Sequence, residues 1–209
     1  MHSTDTDLEK ECAIPRQATF ERGTTVVSQT TVPAGPEQKE GKKKDAVFQV
    51  EPGTTLKNVT LGKNQMEGVH SDNHDCETEN VWWDDVYEDA LSIKGGTAKS
   101  MTNIIGGGAR YAADKVIQHN SEGLVSIDSF YAQDFGKLYR SCDGCGGLTR
   151  HVTLDNIYAV GPIVSAVAMN KKNGDTAKLK NVKIKFASKK TPCARSRAVK
   201  VHLTQHGLP

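Results

Sequence analysis

"LKNV" at residues 56–59 returns unchanged at 179–182, and four variants stand between: "TENV" (78–81), "MTNI" (101–104), "IDSF" (127–130) and "LDNI" (154–157). The shared pattern is an apolar residue, any residue, Asn and an apolar residue, with "TENV" and "IDSF" as imperfect copies. The last positions are Val59, Val81, Ile104, Phe130, Ile157 and Val182, so the separations are 22, 23, 26, 27 and 25 residues. A period in the twenties with β-branched residues predicts one solenoid coil per repeat. Alternation supports strands, with Val125 and Ile127 in "LVSIDSF" and Val152 and Leu154 in "HVTLDN". Asn58, Asn80, Asn103, Asn156 and Asn181 would then stack as a ladder at one turn, because Asn tolerates the left-handed conformation and its amide can bond the next coil's amide.

The predicted fold class is therefore all-β, a single-domain solenoid of about 22–27 residues per coil. Residues 45–186 form the solenoid, 1–44 a lead-in with a partial first coil, and 187–209 a basic cap or tail. The chain of 209 residues is long enough to bury a sizeable core. Its 27 basic and 25 acidic residues leave a net charge of +2, which argues against a dedicated nucleic-acid binder. The basic end lacks the interleaved aromatics of a nucleic-acid surface. No run approaches the roughly 20 apolar residues of a membrane span. The first residues lack the apolar stretch of a signal peptide, so the protein is expected to be intracellular or to have lost its signal.

Of the five cysteines, Cys142 and Cys145 form a C-x-x-C in "SCDGCGG". Such a pair is half a zinc site, a redox pair or a short-loop disulfide. No second C-x-x-C or His pair completes a zinc site, and the disulfide is the preferred reading. Trp82 and Trp83 are adjacent, so a strand points them to opposite faces, one to the core. "GGGARYA" (106–112) lacks the rest of a phosphate loop and reads as a tight turn.

The stretch "NVWWDDVYEDALSIKG" (80–95) packs four carboxylates, Asp84, Asp85, Glu88 and Asp89, behind the tryptophan pair. Charges recur at the coil period: Glu67 and Glu88 are 21 apart, Asp89 and Asp114 are 25 apart, and Lys94, Lys115 and Lys137 are separated by 21 and 22. Residues one coil apart lie about 4.8 Å from each other. Glu67, Glu88, Asp89 and Asp114 can thus form one cluster of oxygens, with Lys115, Lys137 and Arg140 as a basic cluster beside it. Stacked carboxylates repel unless a cation joins them, and hard oxygen donors without His or Cys favour Ca²⁺ or Mg²⁺, a flexible set Ca²⁺. A cation beside Lys and Arg would acidify the hydrogen α to a bound carboxylate. A neutral Lys could remove that proton and start a β-elimination, for which a polyuronate is a suitable substrate.

Four segments, "LKNVTLGKNQMEGVH" (56–70), "CETENVWWDDVYEDALSIKG" (76–95), "ADKVIQHN" (113–120) and "DFGKLYRSC" (134–142), resemble the pectate lyases of polysaccharide lyase family three. The resemblance implies a small right-handed parallel β-helix and calcium-dependent β-elimination of polygalacturonate (de-esterified pectin) by a secreted, monomeric enzyme. It implies Glu67, Glu88, Asp89 and Asp114 as calcium ligands, Lys115 as the base with Arg140 as second candidate, and Lys94, Lys137 and Arg140 as substrate-binding groups. The chain departs from the family where Ser71 replaces a cysteine, Tyr87 a small residue or cysteine, and Glu67 an aspartate. Cys76 thereby loses its usual partner and is left free or paired with Cys12 or Cys193. The departures keep a second reading open, a non-catalytic polyuronate-binding β-helix with a degraded site.

Overall fold

A computed structural model of the chain describes residues 19–20, 26–28, 42, 45–62, 65–186, 193–196 and 201–204. Most of the lead-in and of the basic end, Cys12, and the side chain of Cys193 lie outside the described residues. In chain order the strands are β1 (Thr19–Phe20), β2 (Val26–Ser28), β3 (Ala46–Val50), β4 (Thr55–Leu61), β5 (Glu67–Ser71), β6 (Glu77–Trp83), β7 (Asp89–Ile93), β8 (Met101–Ile105) and β9 (Gly108–Arg110). They continue with β10 (Lys115–His119), β11 (Gly123–Asp128), β12 (Tyr131–Gln133), β13 (Lys137–Ser141), β14 (Arg150–Val160), β15 (Ser165–Asn170), β16 (Thr176–Lys185), β17 (Cys193–Ser196) and β18 (Val201–Thr204).

Successive coils place strands alternately in two sheets. One runs β2, β3, β5, β7, β10, β13, β15, β17; the other holds β1, β4, β6, β8, β11 and β14 with β9, β12, β16 and β18. Pairing is parallel except where β1 meets β4 and β2 meets β3. The fold is a right-handed parallel β-helix, as the spacing and the resemblance predict. Its interior is built of columns. Val69, Leu91, Ile117, Tyr139 and Val167 stack through one sheet, and Ile104, Ile127, Leu154 and Leu179 through the other, all buried. Trp83 joins this core against Phe130, whereas Trp82 lies outside it, buried under Tyr131 and donating to Asn80 Oδ1 at 3.0 Å.

The repeat holds in five coils and slips in one. Asn58, Asn80, Ser129, Asn156 and Asn181 all have positive φ, between 50° and 57°. Asn103 does not, because the strand pairing sets Ile104 opposite Thr78 and Ile127, three residues earlier than the "MTNI" alignment requires. Gly106, with φ 66°, turns the corner of that coil. The corner residues are 58, 80, 106, 129, 156 and 181, separated by 22, 26, 23, 27 and 25. Glycine enters the left-handed region without strain, so it serves as well as asparagine but leaves no amide for the ladder. The ladder is therefore broken: Asn80 donates to Asn58 at 2.9 Å, Asn181 to Asn156 at 3.1 Å, and Asn156 to Asp128 at 3.0 Å. Asn103 instead donates to Glu77 at 3.4 Å.

One end of the interior is polar. His119 Nδ1 bonds Tyr139 Oη at 2.7 Å, and His74 Nδ1 bonds Thr102 Oγ1 at 2.7 Å. The two imidazoles meet edge to face at 5.3 Å, both fully buried, each with an Nε2 that has no partner. Burial pushes His74 below the ordinary histidine value. Burial, then the charges of His74, Arg150 and His151, push His119 down to about 2. Cys76, buried beside Thr102, is a free thiol.

Candidate active site

Three columns of side chains cross the sheet that contains β5, β7, β10, β13 and β15. Val69 pairs with Leu91, which sets Glu67 level with Asp89; Asp89 pairs with Lys115, Lys115 with Lys137, and Lys137 with Ser165. Three residues on, His70, Ser92, Gln118, Arg140 and Ala168 form a second column. The two share a face, since His70 Nε2 reaches Glu67 Oε2 at 3.1 Å and Ser92 Oγ donates to Asp89 Oδ2 at 3.3 Å. One residue before the first column lie Glu88, Asp114, Gly136 and Val164, on the turns that lead into the strands.

This register corrects the stacking expected from charge spacing. Glu67 stands level with Asp89 rather than Glu88, and Asp89 with Lys115 rather than Asp114. Lys94 is not in the lysine column. It follows β7 at the opposite end from Asp89, with its N–H donating to Ser71 O at 2.8 Å. The turns differ in length, so equal spacing in sequence does not mean equal height in the solenoid.

Glu88, Asp89 and Asp114 do converge, around one ammonium. Lys115 Nζ lies 2.6 Å from Asp114 Oδ2, 3.1 Å from Glu88 Oε1 and 3.2 Å from Asp89 Oδ1. Asp114 Oδ1 accepts from Lys137 Nζ at 2.5 Å. Lys115 and Asp89 are only 6% and 5% exposed. Burial favours a neutral Lys115, but Asp89, Asp114 and Glu88 outweigh it and hold the ammonium above the usual lysine range. Burial and then the Glu88 charge push Asp89 up to about 8, against the opposing pull of Lys115. Burial acts upward on Asp114 also, but its bonds to Lys115 and Lys137 keep it below the carboxylate range. Arg140 Nη2 is 3.5 Å from Asp143 Oδ2, on the loop that the Cys142–Cys145 disulfide closes. Of the second column only Arg140 was among the expected site residues; His70, Ser92, Gln118 and Asp143 were not, and position three places after each matched charge was the available signal.

Among the described residues, no group of three or more His, Cys, Asp or Glu is arranged as a preformed metal cage. The donor chemistry nevertheless suits a hard cation. Glu88, Asp89 and Asp114 offer oxygens to a single positive point, three carboxylates against the one ammonium of Lys115. Glu67 is set apart, bonded to His70.

Residues 2–202 match the family model described as Pectate lyase. The chain is 52% identical over 145 residues to probable pectate lyase D of Emericella nidulans, covering 69% of this chain and 54% of that protein. It is 53% identical over 142 residues to pectate lyase H of the same fungus, covering 67% and 53%. The chain thus spans about half the length of these curated relatives. The crystal structure of the catalytic domain of pectate lyase PelI from Erwinia chrysanthemi superposes with TM-score 0.66 at 27% identity, covering 84% of this chain and 80% of that one. PelI in complex with tetragalacturonic acid superposes with TM-score 0.53 at 28% identity, covering 72% and 61%.

Proposed function

Because the chain belongs to the pectate lyase family, we propose that it is a calcium-dependent pectate lyase that cleaves polygalacturonate by β-elimination. The observation that carries this reading is the convergence of Glu88, Asp89 and Asp114 on Lys115, with Lys137 and Arg140 next along the same face. The PelI complex with tetragalacturonic acid supports a uronate polymer as substrate. Secretion and a monomeric state accompany this reading, with neither a nucleic acid nor a membrane as partner; among the described residues, no helix is long and apolar enough to cross a membrane.

Glu88, Asp89 and Asp114, with Glu67 from the preceding coil, are the ligands assigned to calcium. Calcium bound there would neutralise a uronate carboxylate and weaken the hold of the carboxylates on the Lys115 proton. Lys137 and Arg140 bind and orient the substrate carboxylate, and Lys94 serves a more distant one. Lys115, once neutral, takes the C5 proton, with Arg140 as second candidate for that role. The electron pair left at C5 forms the C4–C5 double bond and expels the glycosidic oxygen from C4.

Lys115 is held protonated in the resting site, and this favours one other reading, a polyuronate-binding β-helix without turnover. Ultraviolet absorbance of unsaturated uronide separates the two. Polygalacturonate at alkaline pH is expected to give product that rises with calcium and stops with chelator. Binding of the polymer by folded protein with no product would refute the lyase reading.

A further inference from the structure

The solenoid turns a second left-handed corner farther along the coil. Arg110 pairs with Gln133 and Gln133 with Val160 across β9, β12 and β14. The residue after each, Tyr111, Asp134 and Gly161, has positive φ, at 60°, 50° and 64°. Their N–H groups make the same bond in each coil, to Gln133 O at 3.0 Å, Val160 O at 2.9 Å and Lys185 O at 2.8 Å. The fold thus requires a left-handed residue at this position. Glycine meets the requirement without strain and aspartate with little, whereas the bulky side chain of tyrosine makes the conformation a strained one. The core does not call for the ring either. Tyr111 is 51% exposed, the one aromatic among the large apolar residues exposed in the described part of the chain. Strain that neither the backbone nor the core demands points to a task at the surface.

That surface borders the charged face. Tyr111 stands on the turn that leads into β10, three residues before Asp114 and four before Lys115, and four residues span at most about 14 Å. Between Tyr111 and Asp114 the turn carries only Ala112, which is buried, and Ala113, which is exposed and one methyl group tall. On the following coil Phe135 is buried and Gly136 has no side chain. The strip from the ring to the carboxylates around Lys115 is therefore shallow along this turn. A pyranose ring carries C–H bonds on its faces and its polar groups on its edge, and an aromatic ring removes such a face from water while leaving the edge free to be paired. Resting on the lyase reading above, we propose that Tyr111 is a sugar platform at the rim of the site, its ring packed against one galacturonosyl unit of the bound polymer away from the bond that is cut.

The test measures kcat and KM on polygalacturonate, calorimetric affinity for a long oligogalacturonide, and thermal denaturation, for the native protein, Tyr111→Asn and Tyr111→Trp. Asparagine accepts the left-handed corner, so Tyr111→Asn is expected to fold and to melt no lower than the native protein. It is expected to raise KM and weaken oligomer binding about threefold to tenfold, the size of one aromatic contact, with the loss in KM rather than in kcat. Tyr111→Trp keeps an aromatic face and is expected to bind as the native protein does. A residue needed only for the fold would show the reverse, a lower melting temperature with unchanged affinity. Native affinity in Tyr111→Asn, or an equal loss in Tyr111→Trp, overturns the proposal. If the native protein gives no product, the lyase reading fails, and calorimetry still decides the platform. A native protein that binds the oligomer no better than Tyr111→Asn, or does not bind it, overturns the platform as well.

Discussion

The buried imidazole of His119 predicts how the protein fails in acid. Its folded-state value of about 2 lies below the ordinary 6.5, so the folded protein refuses a proton that the unfolded chain accepts. The contribution of His119 to stability is full above pH 6.5. It is lost progressively as pH falls from 6.5 toward 2. At pH 4.5 the loss is about 2 units at 1.36 kcal/mol each, or roughly 3 kcal/mol, and across the whole window about 6 kcal/mol. His74 acts in the same sense, since burial lowers it too. A loss of 3 kcal/mol is a large fraction of the roughly 5–15 kcal/mol that stabilises a domain. The assay is urea unfolding followed by circular dichroism at a series of pH values from 7.5 to 4.5, for the native protein and for His119→Leu. The variant starts less stable, because it loses the 2.7 Å bond to Tyr139. Its stability should nevertheless depend less on pH, by about 3 kcal/mol over the interval below 6.5. Parallel curves for the two proteins would refute the reasoning, because the carboxylates, which both retain, would then account for all the acid sensitivity.

Further outcomes follow from particular contacts. Gly107→Ala should unfold the protein or cost at least about 3 kcal/mol by thermal denaturation, because its Cβ would sit 2.0 Å from Val81 O at a φ of 80°. Gly106→Asn should cost under about 1 kcal/mol in the same scan, since its nearest neighbour is 3.8 Å away and Asn accepts the left-handed corner. Asn80→Ala removes the bonds to Asn58 and Trp82 and should lower stability by about 1–3 kcal/mol in urea titration. Lys115→Ala should abolish product formation while leaving the circular dichroism spectrum unchanged. The native rate should climb through the alkaline range, because the carboxylates hold Lys115 above the ordinary lysine value and the neutral form appears late; an acid optimum would contradict the assignment.

The amino-acid sequence by itself determined the solenoid. Apolar alternation makes strands, and a left-handed corner every 22–27 residues makes them stack, because Asn and Gly are the residues that turn such a corner without strain. It also marked ionisable residues that return near the coil period, of which the fold brings Glu88, Asp89, Asp114, Lys115 and Lys137 together. Tertiary structure decided what stands level with what. Asn103 was one letter pattern among several, yet the pairing of Ile104 with Thr78 and Ile127 moved the corner to Gly106. Turn lengths decided that Asp89 faces Lys115 and that Lys94 lies at the far end of its strand. Burial, which no spacing reveals, set the proton affinities. It keeps His119 neutral, and the three carboxylates closed around Lys115 keep that lysine charged. Local patterns are written in single residues and survive any register. The charges that meet across coils depend on the sum of every turn between them, and that sum is settled only when the chain is folded.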